Sequence, residues 1–209
     1  MSDPENQEGK RVGVHPLVVI FGVIIGLWIF IQAIIPKSKD IQPPQGHEAQ
    51  AERTAEILRE AKDTNVPTYK MTAVVPSMNA LSLLVPRQTT DSQVVALLLY
   101  LRDARRDGTL SSLLPATTPD NELGQFSIAN IYIFSDPNFA VEQAITILSV
   151  GAHAPGDIYG EEIPYEVAMK HVRGQYVVNL NNKDQPEKGS LGYSEEATGL
   201  YSRRYLPIF

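Results

Sequence analysis

Phe126–Phe134 reads FSIANIYIF, and its apolar side chains fall at odd and even positions alike. A strand turns successive side chains to opposite faces, so this run is apolar on both faces of the sheet it joins. That is the pattern of a strand in the middle of a sheet, and it sets the fold class as α/β.

Upstream of this strand lies the best-defined helix. Thr90–Gln93 (TDSQ) fits a capping box, in which the threonine hydroxyl reaches forward and the glutamine amide reaches back. Val94, Val95, Leu97, Leu98, Leu101 and Ala104 supply a broad apolar face, and Gly108 stops the helix. Before it, Met71–Val75 and Ala80–Val85 read as strands around a Pro76–Asn79 turn, with Pro86 ending the second. A loop rich in Ser, Thr, Pro and Asp covers 109–125.

Downstream, Asp136-Pro137 predicts the start of another helix, an N-cap followed by proline at the first position. Val141, Ala144, Ile145 and Leu148 form its inner face, and Gly151 closes it. A loop over 153–165 follows, then a final strand over Gln175–Leu180 and a turn over Asn181–Asp184. The order is strand, strand, helix, strand, helix, strand. The opening hairpin is antiparallel, and strand–helix–strand steps favour parallel pairs with right-handed crossovers. The expectation is a small two-layer α/β domain with a mixed sheet over residues 64–188.

Nearer the amino end, Leu17–Ile35 reads LVVIFGVIIGLWIFIQAII, with no charge and one polar side chain, Gln32. As a helix it covers about 28 Å, close to the hydrocarbon thickness of a bilayer. Pro16 precedes it, and Pro36 with Lys37, Ser38, Lys39 and Asp40 closes it. A cleaved signal peptide is the main rival. The run exceeds the usual signal core of about 7–15 residues and no small-x-small cleavage site follows, which favours a retained transmembrane helix over 16–36. Lys10 and Arg11 on one side nearly balance Lys37, Lys39 and Arg53 on the other. The short polar tail, 1–15, leans the orientation toward a cytoplasmic amino end and a domain on the non-cytoplasmic, periplasmic side. Gly22 and Gly26 form a GxxxG pair that lets a second helix approach, and Gln32 wants a hydrogen-bond partner in lipid. These three are the candidate helix–helix packing residues.

Between anchor and domain, residues 37–63 read as a linker and a juxtamembrane helix. IQPPQG (41–46) is a stiff spacer, and Ala51, Ala55, Leu58 and Ala61 give Glu48–Asp63 a thin apolar face. That helix either lies on a partner or stands as a solvated stalk. Residues 189–209 form an aromatic tail with Tyr193, Tyr201, Tyr205 and Phe209.

Charge and composition narrow the functions. The chain carries a formal net charge of -6, so nucleic-acid binding has no electrostatic footprint. The absence of cysteine removes disulfides, thiolate metal sites, c-type haem attachment and cysteine nucleophiles. Phosphate-loop and dinucleotide fingerprints and a nucleophile-elbow GxSxG are all missing. His15, His47, His153 and His171 are scattered. Asp157, Glu161, Glu162 and Glu166 cluster without the spacing of a calcium loop. The sequence therefore predicts no catalytic, cofactor-binding or metal-ligating residue.

Two features suit a partner instead. Arg102, Arg105 and Arg106 fall at i, i+3 and i+4 and form a basic patch for lipid headgroups or an acidic protein, diluted by Asp103 and Asp107. The tail YSRRYLPIF offers Tyr201, Arg203, Arg204, Tyr205 and Phe209, which either pack back on the domain or insert into a neighbour. The function expected is that of a non-catalytic, single-pass subunit stabilising a larger membrane complex, with other integral membrane proteins and the lipid bilayer as partners. In gross plan it is similar to single-helix accessory subunits of energy-transducing complexes, an architectural likeness with no shared motif. The alternative is a membrane-tethered module that binds a ligand or peptide at the sheet edge or in the 109–125 and 151–165 loops.

Overall fold

A computed structural model of the chain describes residues 45–151, 163–194 and 205–209. Six strands form one sheet in chain order: β1 (Lys70–Val75), β2 (Ala80–Leu84), β3 (Ile128–Phe134), β4 (Val172–Asn179), β5 (Glu187–Leu191) and β6 (Leu206–Pro207). As the two-sided apolar run requires, β3 lies inside the sheet, parallel to β2 and antiparallel to β4. Every other pair is antiparallel, so the sheet is mixed.

Among the described residues four α-helices accompany it: α1 (Gln45–Lys62), α2 (Asp91–Arg106), α3 (Glu142–Val150) and α4 (Tyr165–His171). Helix α2 has both halves of its capping box, Gln93 N–H donating to Thr90 Oγ1 at 3.2 Å and Thr90 N–H to Gln93 Oε1 at 3.0 Å. Its far end closes on Gly108, whose φ of +70° is the left-handed conformation that glycine adopts without steric cost. There the N–H of Thr109 reaches Ala104 O at 2.8 Å and that of Gly108 reaches Arg105 O at 3.1 Å, capping two carbonyls the helix leaves open.

Helices cover both sides of the sheet. On one side Ala129, Ile131 and Ile133 of β3 pack with Leu97, Leu98 and Leu101 of α2. On the other, Tyr132 and Phe134 pack with Ala144, Ile145 and Leu148 of α3 and Ala168 and Met169 of α4. The domain thus has three layers, which corrects the two-layer expectation. FSIANIYIF demands cover on both faces, and a second helical layer is what supplies it.

Other differences from the sequence reading have local causes. Asp136 does not cap a helix. Its carboxylate accepts the N–H of Asn138 at 3.1 Å and its carbonyl that of Phe139 at 3.2 Å, so it closes a turn. Helix α3 then begins at Glu142 with no side-chain cap. The β3-to-β4 connection holds α3 and α4 among its described residues, and β4 enters antiparallel to β3. Strand β4 is not the last strand. Glu187–Leu191 (EKGSL) lacks the β-branched and aromatic residues that mark strands, and it pairs through the register laid down by β4.

Helix α1 packs on its own domain. Ile57 and Ala61 are buried in the core beneath α2, and Ser92 Oγ donates to Glu60 Oε2 at 2.5 Å. Leu58 packs beside them, whereas Ala51 and Ala55 are exposed. Among the described residues no helix is long and apolar enough to cross a membrane. The 17–35 run, with Gly22, Gly26 and Gln32, lies outside the described residues.

Helix and sheet approach closely at Gly174 on β4, where an added Cβ would stand 2.8 Å from Val94 Cγ1 and 3.4 Å from Ser190 O. A helical valine has little rotamer freedom with which to yield. Gly174→Ala is therefore expected to cost about 1–3 kcal/mol through overpacking. Thermal unfolding of the full chain checks this, and an unchanged midpoint would contradict so close an approach.

Candidate functional site

Arg102, Arg105 and Arg106 do share one side of α2, as their spacing requires, and that side turns toward β4 and β5. Arg105 Nε donates to Glu187 Oε1 at 2.8 Å and Arg106 Nη2 to Glu187 Oε2 at 2.9 Å. Tyr176 Oη, from β4, donates to the same carboxylate at 2.6 Å. One carboxylate thereby receives two guanidinium groups and a phenol, with its side chain only 7% exposed. The arginines also stand in the last turn of α2, where the open carbonyls favour positive charge.

Arg102 turns away from Glu187 and lies over the ring of Phe209, 4.5 Å from its centroid. That ring meets Tyr176 edge-on at 5.8 Å and 70°. The far end of the ring also sits against Gly189, where any Cβ would overlap Phe209 Cε1 and Cζ. The structure therefore brings Arg102, Arg105, Arg106 and Phe209 together, but against Glu187, Tyr176 and Gly189 of the same chain. Tyr205 is half-buried beside β6, while Tyr201, Arg203 and Arg204 lie outside the described residues. Glu187 went unnoticed in the sequence because an acid at the start of an unremarkable, charged segment carries no local signal.

Electrostatics follow the geometry. Burial by itself raises the Glu187 carboxyl, but the hydrogen bonds of Arg105, Tyr176 and Arg106 and the charge of Arg105 overcome it and hold the group down at about 2. Burial, then the hydrogen bond and charge of Glu187, push the Tyr176 phenol well above its ordinary value against the opposing pull of Arg105. At neutral pH the cluster is a carboxylate, two guanidinium ions and a neutral phenol. It holds a fixed charge pattern and has no group poised to exchange a proton near pH 7.

A second feature lies on the opposite face of the sheet. Asn130, Gln175, Val177, Lys188 and Ser194 line a cleft of about 290 Å³ where α3 leaves β4 and β5 partly open. Gln175, 4% exposed, donates to Asn130 Oδ1 at 3.2 Å. Its carbonyl accepts both the N–H of Ser194 at 3.0 Å and the Ser194 hydroxyl at 2.8 Å. Asn130 is the one amide inside the apolar β3 run, and that interruption was the available sequence signal. On the α2 side, the 109–125 loop shapes a second cleft of about 380 Å³ between Leu110, Leu123, Phe126 and Leu180. Within 151–165, only residues 151 and 163–165 are described.

No metal-ligating group of three or more His, Asp or Glu side chains occurs among the described residues. His171 stacks on Phe139 with centroids 3.6 Å apart. Asp157, Glu161 and Glu162 lie outside the described residues. No protein-family model matches this chain, and comparison with curated proteins and with solved structures finds no match.

Because the folded carboxyl of Glu187 sits below its unfolded value of about 4.3, its contribution to stability is fully present above that pH and is lost as pH falls toward about 2. Glu187→Gln should lower stability at pH 7 by about 3 kcal/mol, since two cations lose their counter-charge. It should also flatten the decline of the urea midpoint between pH 4 and pH 2. A variant with the same acid profile as the parent chain would show that Glu187 does not carry this linkage.

Proposed function

We propose that the chain is a non-catalytic, single-pass membrane subunit that stabilises a larger membrane protein complex, its α/β domain held on the non-cytoplasmic side. The observation that carries the reading is the uncharged apolar run Leu17–Ile35, long enough to span a bilayer as a helix. The domain chemistry supports it from a second direction. Two arginines of the α2 patch are spent on Glu187 and the third on Phe209, so the patch works as an internal clasp, with Arg106 its most exposed member. Partner contact then falls chiefly on the membrane helix, through Gly22, Gly26 and Gln32, and on the Tyr201–Tyr205 stretch with Arg203 and Arg204. Nothing in this reading calls for a cofactor or a nucleic acid.

The cleft at Asn130, Gln175 and Ser194 favours a second reading, a membrane-tethered module that binds a ligand or peptide. Its amide and hydroxyl lining suits a polar, hydrogen-bonding guest.

Replacing 17–35 with an unrelated apolar helix separates the two. Under the first reading the chain loses its high-mass band on native electrophoresis after mild solubilisation; under the second it keeps its ligand. Gly22→Leu with Gly26→Leu should likewise release the subunit from its assembly while leaving it in the carbonate-resistant membrane fraction. Migration of the parent chain as a lone 23.1 kDa species would overturn the first reading.

A further inference from the structure

Three strands build the floor of the cleft on the α3 side of the sheet. Asn130, Val177 and Lys188 are cross-strand neighbours in one row, and Tyr132 and Gln175 are neighbours in the next. Directly paired residues share a face of a sheet, so these side chains rise on one side. The rest of the lining is apolar or aromatic. Leu148 lies beside the rings of Tyr132 and Tyr193, whose centroids are 6.3 Å apart, and the Tyr193 hydroxyl donates to Leu148 O at 2.7 Å.

One backbone group fixes how both amides are turned. Ser194 N–H can only donate, so the atom of Gln175 that meets it at 3.0 Å is the carbonyl oxygen. Gln175 Nε2 then donates to Asn130 at 3.2 Å, which makes the receiving atom Oδ1 and leaves Nδ2 at the other end of that amide. Gln175 Oε1 takes a second bond from the Ser194 hydroxyl at 2.8 Å, and Ser149 spends its own hydrogen on Ile145 O at 2.7 Å. Among the described residues, Asn130 Nδ2 meets no acceptor, and Gln175 Nε2 has one N–H beyond its bond to Asn130. Gln175 is 4% exposed, where an unmatched donor is costly. Lys188 makes no ion pair among the described residues. The uncommitted nitrogen groups of the cleft are thus all donors, and one of them is a cation.

We infer that this cleft binds a small organic monocarboxylate. Its oxygens take the free N–H groups of Asn130 and Gln175, Lys188 balances its charge, and its body lies on Leu148, Val177 and the tyrosine rings. The inference rests on the ligand-binding reading of the domain and names the guest. A volume of about 290 Å³ holds roughly ten non-hydrogen atoms, at about 30 Å³ each. One cation matches one negative charge, whereas a phosphate dianion leaves a charge unbalanced beside a buried amide. A neutral amide fills the same space but forgoes charge-assisted hydrogen bonds, which are about twice as strong.

Benzoate has the required size, and benzamide and benzamidine are its neutral and cationic counterparts of the same shape. Titration calorimetry of the full chain in mild detergent is expected to show one site that takes benzoate about tenfold more tightly than benzamide. Asn130→Asp keeps the oxygen that Gln175 needs but exchanges the free donors for negative charge. It should abolish benzoate binding and admit benzamidine, with circular dichroism checking the fold. Lys188→Gln alters an exposed side chain, so folding is not at risk, and should weaken benzoate about threefold while leaving benzamide as before. Equal affinity for benzoate and benzamide, or benzoate binding that survives Asn130→Asp, overturns the carboxylate assignment and leaves the ligand-binding reading standing. Failure of benzoate, benzamide and benzamidine alike to bind, by calorimetry and by saturation-transfer NMR, overturns both. N-acetylglycylphenylalanine stands for a peptide as the source of the carboxylate; tighter binding of it than of benzoate overturns the assignment to a small free acid.

Discussion

Everything in this domain is arranged around a strand that has no solvent face. Ala129, Ile131 and Ile133 point to one side of β3 and Tyr132 and Phe134 to the other, all of them essentially removed from water. Full burial of one such large side chain is worth about 1.5–3 kcal/mol, so exposing either face would cost more than a domain of this size can spare. The parallel partner β2 and the antiparallel partner β4 complete the backbone bonding of β3, and two helical layers complete its side-chain cover. The three-layer architecture is a direct consequence of that requirement.

Much of this was legible in the residues. The TDSQ box, the Gly108 stop, the Pro76–Asn79 turn and the apolar face of α2 are local devices whose chemistry is written in adjacent positions, and the structure places them as read. Asn79 even adopts the left-handed conformation, φ 52°, that such a turn asks of its last residue. What was hidden is non-local. The strand character of EKGSL exists only because β4 offers it a ladder and Phe209 covers its glycine. The misplaced start of α3 shows a competition between two local signals: Asp136 can cap a helix or close a turn, and spacing alone does not choose.

The arginine patch teaches a related lesson. Three cations at i, i+3 and i+4 invite the picture of a surface awaiting an acidic partner. Here the partner is Glu187, some eighty positions along the chain, and the outcome is a clasp that fastens α2 to β5. Whether a charged face serves recognition or closure depends on what the sheet register delivers opposite it, and periodicity within the helix holds no record of that. The amide cleft at Gln175 is the converse case. A single Asn within an apolar strand was its one sequence signal and went unread, while Gln175 and Ser194 come from β4 and from the loop beyond β5.

The strands lie side by side in the order in which they occur along the chain, and this has a kinetic meaning. Each newly synthesised strand finds its neighbour already present, with no need to insert between two earlier ones. Assembly can proceed by accretion from the β1–β2 hairpin outward, during translation, with loop closures that are short compared with those of a sheet whose order is shuffled. At every stage one strand edge waits to be paired, and it is the next segment to leave the ribosome that covers it.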